Sequence, residues 1–238
     1  LDKNSKNLNQ KIKGLKKKSF QRGGPVALIV RKNAFASLHE RSTKFNNNLV
    51  NREEIISLIL DIISKNTKII STTGMISREL YEQRIKKNQK HSNDFLCVGG
   101  MGHVSQIACG LSLEKKKMNI ICLDGDGSLI MHMGALPINA KYSKIKHIVL
   151  NNKSHESVGG QPTIAEEIDL SLVGKASGYN NTLLIDNKKN IKKILIKELK
   201  KKTSSLIVIN CNKGHRKNLG RPKDNISVRK KNFMKGII

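Results

Sequence analysis

Asn119-Ile-Ile-Cys-Leu-Asp124 runs directly into Gly125-Asp126-Gly127-Ser128, and a second apolar run, His147-Ile-Val-Leu150, is followed by Asn151-Asn152. Short runs rich in Ile, Val and Leu are typical of parallel strands buried on both faces of a sheet. The carboxyl ends of such strands meet at one edge, where ligands bind. The two polar clusters therefore predict a site for a diphosphate bridged by a hard divalent cation.

The rest of the chain alternates strand-like and helix-like patterns around this stretch. We predict strands at residues 68–72, 95–98, 119–124, 147–150, 182–185 and 205–210. We predict helices at residues 52–65, from Gly74 to 85, from Gly102 to 114, and at 128–142, 163–177 and 190–202. Six such repeats indicate an α/β fold, an open parallel six-stranded sheet with helices on both faces.

The flanks of this region differ in composition. Residues 1–34 are rich in lysine and contain one strand-like run, Pro25–Val30, with no neighbouring strand to pair with. We interpret them as the tail of a preceding domain or as a segment that docks on a partner. Residues 35–50 look like a linker, residues 51–212 form the main domain, and residues 213–238 are expected to be a basic, irregular tail.

Composition excludes several classes of protein. The 238 residues contain no apolar run long enough to cross a membrane and no secretory signal. The four cysteines lack CxxC spacing, which favours buried, reduced thiols in a cytoplasmic protein. A net charge of +27 suggests nucleic-acid binding, but aromatic residues make up only 3% and no recognition motif is present. We therefore expect neither a nucleic-acid nor a membrane partner.

The Gly125-Asp126-Gly127 and Asn151-Asn152 clusters resemble the signature of thiamine diphosphate enzymes, in which GDG is followed after roughly two dozen residues by NN. This resemblance implies that Asp126 and Asn152 bind Mg²⁺ through side-chain oxygens and that Ser154 adds its backbone carbonyl. It also implies that Gly125, Gly127 and Ser128 contact the diphosphate. The alternative is that the two clusters are unrelated turns.

Two further strand ends match this family. In Gly99-Gly100-Met101-Gly102 the resemblance implies that Met101 is the apolar wedge that bends the cofactor. The Gly99 carbonyl would then accept a hydrogen bond from the aminopyrimidine, with Gly100 beside it. Thr73 and Gly74 would add another diphosphate contact. Met101 could instead simply fill the core.

Longer segments are similar to the phosphonopyruvate decarboxylase branch of the family. They are Ser71–Leu80, Val98–His103 with Ser105-Gln106, Met131–Ala135, Asn151–Thr163 and Asn218–Pro222. The resemblance implies thiamine diphosphate- and Mg²⁺-dependent decarboxylation of 3-phosphonopyruvate to phosphonoacetaldehyde and CO₂, in the biosynthesis of 2-aminoethylphosphonate. The chain departs from the pattern at Gly100, Lys153 and Asn218, where we expect Ser, Gly and an acidic residue. Sulfopyruvate decarboxylase, whose two halves lie on separate chains, is the alternative.

Five residues are candidates for contact with the substrate. His103 and His155 follow cofactor-contacting turns and could shuttle protons, or they could only bond their own loops. Arg216 and Arg221, with Lys217, could clamp a phosphonate through their guanidinium groups. A solvated basic tail is the alternative reading of those cations.

The resemblance also implies that this chain supplies only part of the active site. In the family a glutamate from a pyrimidine-binding domain activates the cofactor, and residues 1–34 would be the C-terminal remnant of such a domain. We expect a pyrimidine-binding domain or subunit to complete the site within a homo-oligomer. A catalytically incomplete cofactor-binding fragment remains the other possibility.

Overall fold

The computed structural model describes residues 1–32, 34–35 and 45–237, and it divides the chain into two units, Leu1–Lys44 and Phe45–Ile238. The first unit contains helix α1 (Leu8–Arg22), which ends where Gly23 takes a left-handed conformation. The predicted strand at Pro25–Val30 is wrong, because no described segment forms a ladder with it and its apolar side chains are exposed. Most of the predicted linker lies outside the described residues.

The second unit contains all the described strands. They are β1 (Val50–Asn51), β2 (Lys68–Ser71), β3 (Asp94–Leu96), β4 (Ile120–Gly125), β5 (Lys146–Asn151), β6 (Ser154–His155), β7 (Gln161–Pro162), β8 (Asn181–Ile185) and β9 (Ser205–Asn212).

Its helices connect these strands, except for the last helix, which follows the final strand. They are α2 (Arg52–Ile62), α3 (Met75–Lys86), α4 (Val104–Glu114), α5 (Asp126–Met131), α6 (Leu136–Tyr142), α7 (Leu170–Ala176), α8 (Ile191–Leu199) and α9 (Ile226–Lys235). In the described parts of the chain no helix combines the length and apolarity that crossing a bilayer needs.

The main sheet is parallel throughout and has the order β3-β2-β4-β5-β9, with β8 and β1 both paired to β9. The predicted α/β class and the six predicted strands are confirmed. A seventh strand, β1, has only two residues and aligns Val50 with Cys211. The chain moves outward in opposite directions from β2 and β4, so the crevice between their carboxyl ends is a topological switch point.

Apolar side chains cover both faces of the sheet, as predicted. On one face α2, α3 and α8 pack against residues such as Leu123 and Leu150. On the other face α4 to α7 pack against the residues that alternate with these along the strands, including Cys122 and Val149. Because successive strand residues point to opposite faces, a continuous apolar run fills both cores. The four cysteines are buried and free.

The prediction of one helix at residues 128–142 is wrong in one respect, because two helices, α5 and α6, cover this stretch. α5 ends at Met131, a 3₁₀ turn follows at Met133–Ala135, and Pro137 lies in the first turn of α6. Proline has no N–H to donate to the preceding turn and its ring clashes with that turn, so it favours a break in the helix before it.

The predicted helix at 163–177 begins later than expected. A 3₁₀ turn occupies Ile164–Glu166, and α7 starts only after Asp169, whose carboxylate accepts from the amides of Ser171 (2.8 Å) and Leu172 (3.2 Å). This N-cap fixes the start of the helix.

The predicted irregular tail at 213–238 is also wrong in part, because it contains α9. Asn225 caps this helix through the Ser227 amide at 2.8 Å. Phe233 is buried, with its ring 5.5 Å from that of Phe95 and the Lys68 ammonium 5.6 Å from its centre. One buried aromatic residue therefore anchors a segment whose basic composition suggested a solvated tail.

Candidate cofactor site

A crevice opens at the carboxyl ends of β2, β4 and β5. It is lined by Arg52, Met101 and Leu150 and by three groups of residues at or just after the ends of these strands. The groups are Thr72–Ile76, Gly125–Ser128, and Asn152 with Ser154–Ser157. The sequence predicted that the last two groups would meet, and the sheet register brings them together because β4 and β5 are adjacent.

Asp126, Asn152 and Ser154 line this one crevice. Asp126 is only 3% exposed, and burial raises the pKa of its carboxyl group although the Thr163 hydroxyl donates to it. That hydroxyl is a neutral donor, so it does not balance the carboxylate charge. A carboxylate, a carboxamide and a backbone carbonyl are hard oxygen donors that suit Mg²⁺. The residues present therefore fit a magnesium ion.

The turn between β5 and β6 is strained at Lys153, which has a φ of 56°. The Asn151 side chain accepts from the Lys153 amide and the Asn152 side chain from the Ser154 amide, both at 3.2 Å. A left-handed conformation favours glycine, the residue that we expected at this position.

We expect Lys153→Gly to raise the free energy of unfolding by about 1 kcal/mol, because it removes the clash between Cβ and backbone in the left-handed region. Urea denaturation measures this change. Lys213→Gly is the matched control, since φ at Lys213 is not positive, and there the substitution should be neutral or slightly destabilising. Equal destabilisation of both variants would contradict the prediction.

The Ser128 hydroxyl joins three strand ends rather than pointing freely into the crevice. It accepts from the Thr72 hydroxyl at 2.9 Å and from the Gly102 amide at 3.1 Å, and the residue is 4% exposed. A hydrogen-bonded hydroxyl at this depth fixes the turns after β2, β3 and β4 relative to one another. The Gly127 and Ser128 amides lie in the first turn of α5.

Two positions in the crevice require glycine for different reasons. Gly127 has no room for a side chain, and Gly74 has a backbone conformation that other residues rarely adopt. A Cβ on Gly127 would lie 2.6 Å from His155 Cε1 and 2.9 Å from Nδ1. Gly74 has a φ of 91° and faces Ser157. The predicted residue His155 therefore packs directly on the GDG turn and lines the crevice.

The Gly99–His103 segment reaches the crevice only through Met101. At Gly100 an added Cβ would lie 2.9 Å from the Cys97 sulfur, and Gly99 has a φ of 73°. His103 is exposed and stands edge-on to His132, with 5.1 Å between ring centres. Catalytic use of His103 stays a prediction.

The two predicted substrate arginines are not among the described residues that line the crevice. The Arg216 guanidinium pairs instead with Glu53 of α2 at 3.0 Å and with Glu82 of α3. Since two carboxylates already hold it, a phosphonate would have to displace them. The clamp by Arg216 and Arg221 stays a prediction.

Sequence reasoning missed Arg52, which it used only as the first residue of an amphipathic helix. Its guanidinium donates to both oxygens of Glu79 at 2.7 Å and to Glu156 at 2.6 Å. Burial opposes the charge, but the two carboxylates outweigh it and raise the pKa of Arg52. Arg52 lies at the start of α2 between polar Asn51 and Glu53, so the local sequence contains no signal that its side chain is buried.

A second buried network lies behind the crevice. His147 Nε2 is 3.2 Å from the Asp124 carboxylate and Nδ1 is 3.1 Å from the Tyr179 hydroxyl. The other Asp124 oxygen accepts from the Gly125 amide at 2.9 Å. The Cys122 sulfur also lies within 4.8 Å of these His147 and Asp124 ligand atoms. The network stabilises the end of β4 that presents Asp126.

The sequence of the region that contains the crevice matches a known family. Residues 72–209 match "Thiamine pyrophosphate enzyme, C-terminal TPP binding domain", and the chain belongs to this family. Among solved structures, a thiamine diphosphate-dependent 4-hydroxybenzoylformate decarboxylase from Rhodococcus jostii RHA1 has the same fold, with a TM-score of 0.59. It is 17% identical over 78% of this chain and 37% of that one.

The curated relatives that the chain resembles include two kinds of decarboxylase. The chain is 30% identical to phosphonopyruvate decarboxylase of Streptomyces viridochromogenes over 69% of its own length and 41% of the relative's. It is 34% identical to sulfopyruvate decarboxylase subunit beta of Methanothermobacter thermautotrophicus, over 56% and 69% respectively. The chain thus aligns with less than half of the phosphonopyruvate decarboxylase and with about two thirds of the sulfopyruvate subunit.

Proposed function

We propose that this chain is the diphosphate- and metal-binding half of a thiamine diphosphate-dependent decarboxylase that converts 3-phosphonopyruvate to phosphonoacetaldehyde and CO₂. The observation that carries the proposal is the meeting of Asp126, Asn152 and Ser154 in one crevice, beside the first-turn amides of α5. Similarity to phosphonopyruvate decarboxylase of Streptomyces viridochromogenes supports the choice of substrate.

In this proposal Asp126, Asn152 and the Ser154 carbonyl hold Mg²⁺, and the amides of Gly127 and Ser128 hold the diphosphate with Thr73 and Gly74. When bound, the cofactor supplies the electron sink for loss of CO₂ from a 2-oxo acid. The chain itself orients that cofactor, with Met101 as an apolar wall. His155 faces the same crevice, where its imidazole can take up or release a proton.

The proposed enzyme needs a second component. A pyrimidine-binding domain or subunit would supply the activating glutamate, and the phosphonate would be held by Arg216 and Arg221 after Arg216 leaves its carboxylate partners. Similarity to a decarboxylase subunit beta supports a partner subunit. The completed site would lie within a homo-oligomer in the cytoplasm, a reducing compartment where the buried thiols persist.

The second candidate is decarboxylation of 3-sulfopyruvate, favoured by the larger share of the sulfopyruvate subunit that the chain covers. Phosphonate and sulfonate are both tetrahedral anions, so the same cations could hold either. The choice therefore depends on rates rather than on residues.

The test is CO₂ release from 3-phosphonopyruvate and from 3-sulfopyruvate, with Mg²⁺ and thiamine diphosphate, by the chain together with its pyrimidine-binding domain or subunit. We expect kcat/KM at least tenfold higher for the phosphonate. A preference for the sulfonate supports the second candidate. Tight cofactor binding without turnover of either acid would leave a cofactor-binding fragment and would overturn the proposed activity.

A further inference from the structure

The loop that carries Ser154 and His155 is attached to the body of the unit by the next residue, Glu156. Its carboxylate is 2.6 Å from Arg52 Nη1, and the Glu156 side chain is only 9% exposed. Its other oxygen accepts from the Gly214 amide. One side chain therefore connects the crevice loop to the start of α2 and to the segment after β9.

Arg52 is a rigid anchor for this contact. Its Nε and Nη2 bind both oxygens of Glu79 on α3, and Arg52 and Glu79 are 3% and 1% exposed. A bidentate guanidinium–carboxylate pair fixes the plane of the guanidinium, and burial shields it from solvent. Nη1 is thereby aimed at Glu156 in a fixed direction.

The loop has few other attachments near its tip. β6 and β7 pair through only two positions, Ser154 with Pro162 and His155 with Gln161. Residues 157–162 are exposed. At the base, Thr163 bonds Lys153 and Asp126. Because so little backbone pairing holds the segment, the buried ion pair is its main connection to α2.

We propose that Glu156 is a positioning residue: through Arg52 it holds the Asn152–Glu156 segment so that the Asn152 side chain and the Ser154 carbonyl face Asp126 before cofactor and metal bind. That metal and cofactor bind here rests on the proposed function, whereas the positioning of the loop by Glu156 does not. Glu156 touches neither metal nor cofactor in this account, and it acts through the two residues that precede it.

The substitution Glu156→Gln removes the charge and preserves the size of the side chain. Replacing Arg52 would instead leave Glu79 buried without a partner and could unfold the chain. Glu82→Gln is the matched control, because Glu82 also pairs with an arginine, Arg216, and accepts a tail amide, that of Gly220, but lies outside the crevice lining.

The first measurement is hydrogen exchange of the amides at 153–163 in the chain without cofactor. We expect exchange roughly tenfold faster in Glu156→Gln than in the unaltered chain, and unchanged in Glu82→Gln, because breaking the anchor lets the loop open locally. Unchanged exchange in Glu156→Gln would overturn the inference, whether or not the chain binds thiamine diphosphate.

The second measurement is the Mg²⁺ concentration that gives half-maximal binding of thiamine diphosphate, by calorimetry. We expect it to rise roughly tenfold in Glu156→Gln, the effect usual for residues that orient metal ligands, with saturation restored at high Mg²⁺. Glu156→Asp, which restores the charge, should recover part of the loss. An equal rise in Glu82→Gln would overturn the inference, since only a general weakening of the fold would then be at work. If the unaltered chain binds no cofactor, the proposed function fails and the exchange measurement alone decides.

Discussion

Asp126→Ala is expected to weaken Mg²⁺-dependent binding of thiamine diphosphate by at least about a hundredfold, because losing a direct metal ligand should cost no less than losing a residue that only orients one. Asp126 is the one carboxylate of the three proposed metal ligands, so its removal takes away the charge that attracts the cation. Isothermal titration with Mg²⁺ present measures the loss. Asp61→Ala is the control, because Asp61 is half exposed and, among the residues that the structure describes, forms an ion pair only with Lys87.

In the absence of Mg²⁺, Asp126→Ala should be no less stable than the unaltered chain. Burial raises the pKa of Asp126 above its ordinary 3.8, so in the folded chain its ionised form is disfavoured. Such a group stabilises the fold most below pH 3.8, and this contribution is lost as pH rises through the raised folded pKa. We expect Asp126→Ala to be at least as stable as the unaltered chain at pH 7. Affinity retained in a folded Asp126→Ala chain would contradict the assignment of this residue.

Gly127→Ala is expected to destabilise the chain by about 1–3 kcal/mol, as overpacking does, and to weaken cofactor binding at least tenfold. The added Cβ would lie 2.6 Å from the His155 imidazole, so the ring or the GDG turn must move. Thermal unfolding and calorimetric titration measure the two effects. Gly134→Ala is the control, because nothing lies within 4 Å of its added Cβ and its φ is not positive.

A double variant identifies the cause of that destabilisation. If the clash with His155 is responsible, Gly127→Ala combined with His155→Ala should be more stable than the sum of the single effects predicts. Additive destabilisation would mean that the strain comes from the backbone of the turn instead. Cofactor affinity need not recover, because the proposed role of His155 is lost in the double variant.

The sequence allowed prediction of the fold because its strands are continuous apolar runs. Ile120–Leu123 and Ile148–Leu150 fill both faces of a parallel sheet, and such runs leave little choice of secondary structure. The meeting of Asp126 with Asn152 followed from the adjacency of two consecutive strands. These inferences depend on local pattern and connectivity, which one sequence contains.

The missed features depend on contacts between distant segments. Arg52 and Glu156 are 104 positions apart, and no local pattern pairs them. α9 is held by Phe233, a single aromatic residue in a basic segment, so its composition favoured a solvated tail. The Pro25–Val30 run looked like a strand because of its residues, yet a strand also requires a partner that the pattern cannot supply.

The most direct test of the account is a crystal structure of the chain with thiamine diphosphate and Mn²⁺, with Mn²⁺ in place of Mg²⁺ to give an anomalous signal. We predict one metal peak in the crevice, ligated by the Asp126 carboxylate, the Asn152 side-chain oxygen and the Ser154 carbonyl, at roughly the 2.0–2.1 Å that Mg²⁺ adopts. The diphosphate should complete its coordination next to Gly127. A metal bound elsewhere, or a bound cofactor whose metal contacts neither Asp126 nor Asn152, would contradict the account.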